Sequence, residues 1–123
     1  MKNIVLVFLG GGIGSVARYV LTLIVPRTLD AFPVAILIAN GLACFVIGIV
    51  SCLMLSKNYI NQNVVLLVST GFCGGLSTFS TFSNDNYTLY TSKEFSLLFA
   101  NIALNITVCF VAVVLGFMLA KRM

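Results

Sequence analysis

Four apolar runs, each about the length of a bilayer crossing, leave this chain few ways to fold. They extend from about Ile4 to Val25, Val34 to Leu55, Val64 to Tyr90 and Leu97 to Ala120, and only short polar connectors separate them. A helical crossing of the hydrocarbon core takes about 20 apolar residues, so four spans use nearly all of the 123 residues. With 60% hydrophobic and only 8% charged residues, the composition excludes the soluble classes. The expected molecule is therefore all-α, one four-span domain over residues 1–123, multi-pass in the cell membrane. The first run is read as a retained span: it is too long for a secretory signal and lacks a cleavage site followed by a polar mature domain.

Within the third run, the stretch GFCGGLSTFSTFSND from Gly71 to Asp85 has the wrong composition for a plain membrane helix. Gly71, Gly74 and Gly75 weaken the helix, and Ser77, Thr78, Ser80, Thr81 and Ser83 offer hydroxyls that compete for backbone partners. Phe79 and Phe82 stand among them, three residues apart, so on a helix both rings emerge on one side. Such a segment is tolerated in lipid only where it faces protein or a polar cavity. A break in the third span is expected here, with a functional centre beside it.

The other spans carry fewer polar groups. In GGGIGSVARY, Gly10 to Tyr19, Gly10 and Gly14 form a GxxxG pair and Gly11 with Ser15 a second small pair, suited to close helix packing. The same run lacks the strand, turn and helix context of a dinucleotide fingerprint. Arg18 lies well inside the first span, where a cation at mid-membrane costs about 2.5–3.5 kcal/mol on insertion scales. It either snorkels to the interface or faces a water-filled vestibule that attracts anions. Pro26 and Pro33 bracket a short connector that makes the first two spans antiparallel neighbours. Asn40, in the second span, serves either as interhelical glue or as an amide donor to a passing anion. On the fourth span Asn101, Asn105 and Cys109 recur every four residues on one helical face, which must meet protein or water. Asp85 is read as lying at the interface or beside a basic residue.

Several functions are excluded. Seven basic and three acidic residues are too sparse for a nucleic-acid surface, and basic span ends suit lipid headgroups. With no histidine and no nucleophile–base pair, the chain is not read as an enzyme. Cys44, Cys52, Cys73 and Cys109 all fall inside spans with no CxxC spacing, and are read as small packing residues. A proton-coupled exporter of small molecules would want a carboxylate deep in the first span, and that span has none. Lys2, Lys57, Lys121 and Arg122 fall on one side of the membrane against Arg27 and Lys93 on the other, a bias small enough to allow insertion in both orientations.

GGGIGSVARY, Asn40 and GFCGGLSTFSTFS, taken in that order, resemble the Fluc or CrcB fluoride channels over essentially the whole chain. The resemblance implies a four-helix protein assembled as an antiparallel, dual-topology dimer with two fluoride pores. The partner is a second copy or, as in some members, a paralogous subunit. It implies that Phe79 and Phe82 line the fluoride path, that Asn40 is the pore asparagine and that Arg18 is the first-span arginine of the vestibule. Asn105 and Cys109 extend the pore reading along the fourth span. It also implies a structural sodium ion held at the dimer centre by the backbone carbonyls of Gly74 and Ser77. The chain departs from the family pattern with Ser77 for threonine, Asp85 for glutamate, Ile36 for threonine, and asparagines and a cysteine for hydroxyls on the fourth span.

Overall fold

A computed structural model describes residues 1–25, 32–55 and 60–123; Pro26, Arg27, Asp30 and Lys57, on which part of the connector and charge readings rest, lie outside the described residues. Among the described residues, four helices are long and apolar enough to cross a membrane: Lys2–Ile24, Val34–Leu55, Gln62–Thr91 and Phe95–Lys121. The chain is thus an all-helical, multi-pass membrane protein.

The third span is the irregular one. After a first turn, Gln62–Val64, capped by the Asn61 side chain, the backbone widens into a π-helix over Val65–Cys73. A single α-turn, Gly74–Leu76, follows, and an α-helix runs over Phe79–Thr91. Its C-terminal end is closed by paired bonds: the Lys93 N–H donates to Tyr90 O at 3.1 Å and the Glu94 N–H to Leu89 O at 2.9 Å. Lys93 takes the left-handed conformation that this reversal demands, with φ 62°. Tyr90 and Phe95 stack edge to face across the turn with centroids 6.0 Å apart, so the fourth helix starts directly against the third.

The helices pair in two sets, the first against the π-helical half of the third span and the second against the fourth. Glycine sets both contacts. A Cβ on Gly10 or Gly14 would overlap the backbone of Leu67, Phe72 or Leu76, and one on Gly75 would meet the Gly11 carbonyl. A Cβ on Gly48 would strike the Val113 carbonyl, and one on Gly116 the Phe45 carbonyl. Without a hydrophobic driving force between helices in lipid, this close approach supplies the dispersion contact that holds them. Gly10 and Gly14 are buried as a pair, whereas Ser15 is exposed and Gly11 alone of the second pair meets the third span. Small residues also fill the centre, where Ala39, Ala43, Cys73 and Leu76 form the buried cluster.

Because backbone cannot yield as a side chain does, Gly14→Ala and Gly116→Ala are each expected to destabilise the protein by about 1–3 kcal/mol. Gly12, which has open space where a Cβ would sit, is the control, and Gly12→Ala should be neutral. Thermal unfolding in detergent measures all three; wild-type midpoints for the first two would show that the close approach is dispensable.

Candidate functional site

The centre of the molecule is built on two extended residues. Ser77 (φ −74°, ψ 152°) and Thr78 (φ −153°, ψ 118°) lie between the turn ending at Leu76 and the helix beginning at Phe79. In hydrocarbon, every backbone group displaced from a helix needs another partner. The Thr78 N–H finds Asn40 Oδ1 at 2.9 Å. Thr78 Oγ1 in turn accepts from the Thr81 N–H at 3.2 Å and caps the new helix. The Ser77 hydroxyl donates back to Cys73 O at 2.8 Å.

These bonds decide which carbonyls are released. In a continuous α-helix the Gly74 carbonyl would accept from the Thr78 N–H and the Ser77 carbonyl from the Thr81 N–H. Both donors are directed elsewhere, to Asn40 and to the Thr78 hydroxyl. The Gly75 carbonyl between them accepts from Arg18 Nε at 3.1 Å. A cation at the C-terminal end of a helical segment is favourable, and the bond accounts for a half-buried arginine inside the first span.

From Thr78 a chain of side-chain amides leads through the bundle. Asn40 Nδ2 donates to Asn105 Oδ1 at 3.1 Å. Asn105 Nδ2 donates to Asn101 Oδ1 at 2.9 Å and to the Asn101 carbonyl at 3.1 Å. Asn101 Nδ2 then donates to Asn86 Oδ1 at 2.8 Å. Asparagine oxygen and nitrogen are hard to tell apart by shape, but here chemistry fixes them. A backbone N–H can only donate, so it sets Asn40; a backbone carbonyl can only accept, so it sets Asn105 independently. The ladder therefore has one polarity from end to end. Asn101, its third rung, is fully buried at 0% exposure and reaches partners on both sides.

Beside the ladder lies a pocket of about 300 Å³. Asn40, Phe79, Phe82, Asn105 and Cys109 all line it, as does Ser77. The two rings sit 5.8 Å apart at 42°. Phe82 is half-buried whereas Phe79 projects from the chain, 80% exposed. Arg18 and Gly74 are not in the pocket wall. Among the described residues, the wall holds amides, hydroxyls, thiols and aromatic rings, with no carboxylate and no ammonium or guanidinium group. One of the two Asn40 amide protons is engaged by Asn105, which leaves the other as a neutral donor.

The sequence profile described as CrcB-like protein, Camphor Resistance, matches residues 5–117. The chain belongs to the CrcB family. A relative from Azobacteroides pseudotrichonymphae, named fluoride-specific ion channel FluC, is 42% identical over 122 residues, covering 98% of each chain. One of the same name from Pyrococcus horikoshii is 45% identical over 121 residues, again 98% of each. A third, from Flavobacterium psychrophilum, is 35% identical over 124 residues and covers 100% of each. The CrcB family is one of ion channels, not of enzymes.

Ile36 and Asp85 meet in a second cavity of about 200 Å³, which Thr81, Thr88 and Glu94 also line. Two other residues were not expected at the site: Asn86, the end of the ladder, which the sequence did not single out, and Cys44, read as a packing residue but found in the pocket wall. Asn86 follows Phe79 and Phe82 at helical spacing, seven and four residues on, and that register was the available signal.

Replacing Asn101 strands groups on both sides. Asn101→Leu is expected to lower the unfolding free energy by about 1–3 kcal/mol. Asn86→Leu should cost markedly less in that background than in the wild type, because its partner is already gone. A double-mutant cycle of unfolding in mixed micelles reads the coupling; strict additivity would mean that the two amides act independently.

Proposed function

We propose that this chain is a fluoride-specific channel of the cell membrane that lets fluoride leave the cell and so lowers its toxicity in the cytoplasm. The observation that carries this reading is the pocket that gathers Asn40, Phe79, Phe82, Asn105 and Cys109 around neutral donors. The relatives' names supply the ion. Fluoride is small and strongly hydrated, so a selective path must replace its water at short range without a full charge that would trap it. The free Asn40 N–H is such a donor. Ring edges carry the positive part of the aromatic quadrupole, and Phe79 and Phe82, a few ångströms apart, provide successive edges for an anion. A proton-coupled exporter would place its carboxylate where substrate passes, whereas Asp85 lines the other cavity.

The functional unit in this reading is an antiparallel, dual-topology dimer with one such path on each side. Ser80, Ser83, Asn84 and Tyr87 are exposed and share one face of the helix after Thr78. A polar face of that kind is poorly suited to lipid, and together with the projecting Phe79 it supports cover by a second copy of the chain or a paralogous subunit. The Gly74 and Ser77 carbonyls, whose helical donors are engaged elsewhere, fit a hard cation such as sodium. Two such carbonyls from each of two chains would hold a structural sodium ion between them. That ion supplies fixed positive charge near the anion path, which helps fluoride into low dielectric. Arg18 occupies the intervening carbonyl and adds its charge at the vestibule end of the same segment.

Proteoliposomes carrying the purified chain should release fluoride, read by an ion-selective electrode, and retain chloride. Phe79→Ile and Phe82→Ile should each slow fluoride release at least tenfold while the dimer stays assembled. Wild-type rates in both variants would remove the rings from the path.

Sodium has a separate test. Exchange of sodium for a large organic cation during purification should weaken the dimer and reduce flux together, and full retention of both would remove the ion from this reading.

A further inference from the structure

The proposed fluoride path uses Cys109 only as a wall residue and gives no account of its thiol chemistry or of Cys44 beside it. Cys44 lies on the second helix and Cys109 on the fourth, and both line the pocket that Phe82 and Asn105 share. Their placement follows the register of the amides. Asn40 and Asn105, 65 positions apart in sequence, bond to each other across the two helices. Cys44 and Cys109 lie four residues further along each helix and keep the same offset, one turn deeper on the same seam. Glycines close that seam on both sides. Gly41 meets the Val108 side chain before the cysteines, and Gly48 meets the Val113 carbonyl after them. The two cysteines accordingly come to the same wall of one pocket from two helices. Both are half-buried, in contrast to Cys52 and Cys73, which are packed into the core at 1% and 0% exposure. No disulfide joins any of the four.

We propose that Cys44 and Cys109 form a two-thiol binding site for a soft divalent metal ion of the mercury(II) type, facing the ion path. Thiolate sulfur selects soft metals. Among the described residues no third Cys, Asp or Glu joins the pair in a metal-holding group, so an ion that demands four ligands is not satisfied. An ion content with two nearly opposed ligands is. Charge decides between the soft ions. Each thiol releases its proton to water, and two S–Hg bonds form, so that one divalent ion with two thiolates gives a neutral unit. A monovalent silver or copper ion between the same thiolates would leave one net negative charge in low dielectric, which is costly there. Bound between the second and fourth helices, the ion stands next to Phe82 and Asn105 and obstructs the pocket. The binding half of the proposal is independent of the channel reading; the obstruction half rests on it.

The test uses the intact protein in detergent, titrated with mercuric chloride in the presence of a competing monothiol. Metal retained after gel filtration and the sulfur-to-mercury charge-transfer absorbance are the readouts. Wild type and the Cys52→Ala/Cys73→Ala double variant are expected to hold one equivalent per chain, with Cys44→Ser and Cys109→Ser each at least tenfold weaker. Wild-type affinity in both single variants would overturn the site. So would loss of binding in a Cys52→Ala/Cys73→Ala protein that elutes as a folded species. In proteoliposomes, mercuric chloride should slow fluoride release at least tenfold in the wild type and be reversed by a dithiol, with each serine variant compared with its own untreated rate. Binding without any effect on release would support the metal site and overturn its placement on the ion path. Absence of fluoride release before any mercury is added would instead count against the channel reading and leave the binding result standing.

Discussion

A backbone N–H inside a bilayer has nowhere to go except another protein group, and in this chain the Thr78 N–H goes to Asn40. Much of the central architecture depends on that one bond. It permits Ser77 and Thr78 to be extended without stranding a donor. It releases the Gly74 carbonyl from the helix ladder. It also orients the Asn40 amide, since an oxygen held by a backbone N–H leaves the nitrogen to face the opposite way. The same bond therefore links an irregular backbone in the third span to the orientation of a side chain in the second, and through it to the fourth helix.

Such a bond requires helices that lie unusually near one another. Asparagine is short, and a ladder of four asparagines crosses from the second helix to the fourth and back to the third only because large side chains are absent from the seams. Gly48 and Gly116 set the distance between the second and fourth helices, and Gly10 and Gly14 bring the first against the third. Small-residue packing and the polar network are in this sense one device. The packing provides contact energy that lipid does not supply as a hydrophobic effect, and it also brings the amides within reach. The π-helical stretch Val65–Cys73 belongs to the same arrangement, because its Gly71 lies against Gly10 of the first helix.

The spans were legible in the sequence because hydrophobic length alone identifies a crossing, and the pocket was legible because its parts are conspicuous in lipid. Asn40, Asn105, Phe79, Phe82 and Cys109 were each singled out from spacing or polarity, and they line one cavity. Less was legible where a residue's importance comes from its partner. Asn86 sits in a polar stretch among serines, threonines and another asparagine, so nothing in composition separates it from Asn84. Cys44 looks like any small core residue until the register of the second and fourth helices brings it opposite Cys109. The π-helix was hidden for a different reason, since Val, Leu and Ser carry no preference that distinguishes it from an α-helix. Arg18 was recognised as out of place, but its answer, a carbonyl at Gly75, depends on backbone geometry that no spacing rule reveals.

The division of charge from neutral donors follows from the same anchoring. Arg18 reaches a carbonyl and Asp85 lines a separate cavity, so the pocket that holds the rings contains amides, hydroxyls and thiols. A neutral amide is useful to an anion only if it presents nitrogen; turned over, it presents oxygen and repels. In water that choice is free, and an asparagine samples both. Here the Thr78 N–H at one end and the Asn101 carbonyl at the other make reversal of Asn40 or Asn105 cost at least one buried bond on each. Reversal of either also sets like groups of its neighbour face to face, so the rungs resist turning together rather than singly. A pocket lined by uncharged donors thus acquires a fixed electrostatic sense, supplied by two backbone groups that cannot exchange donor for acceptor.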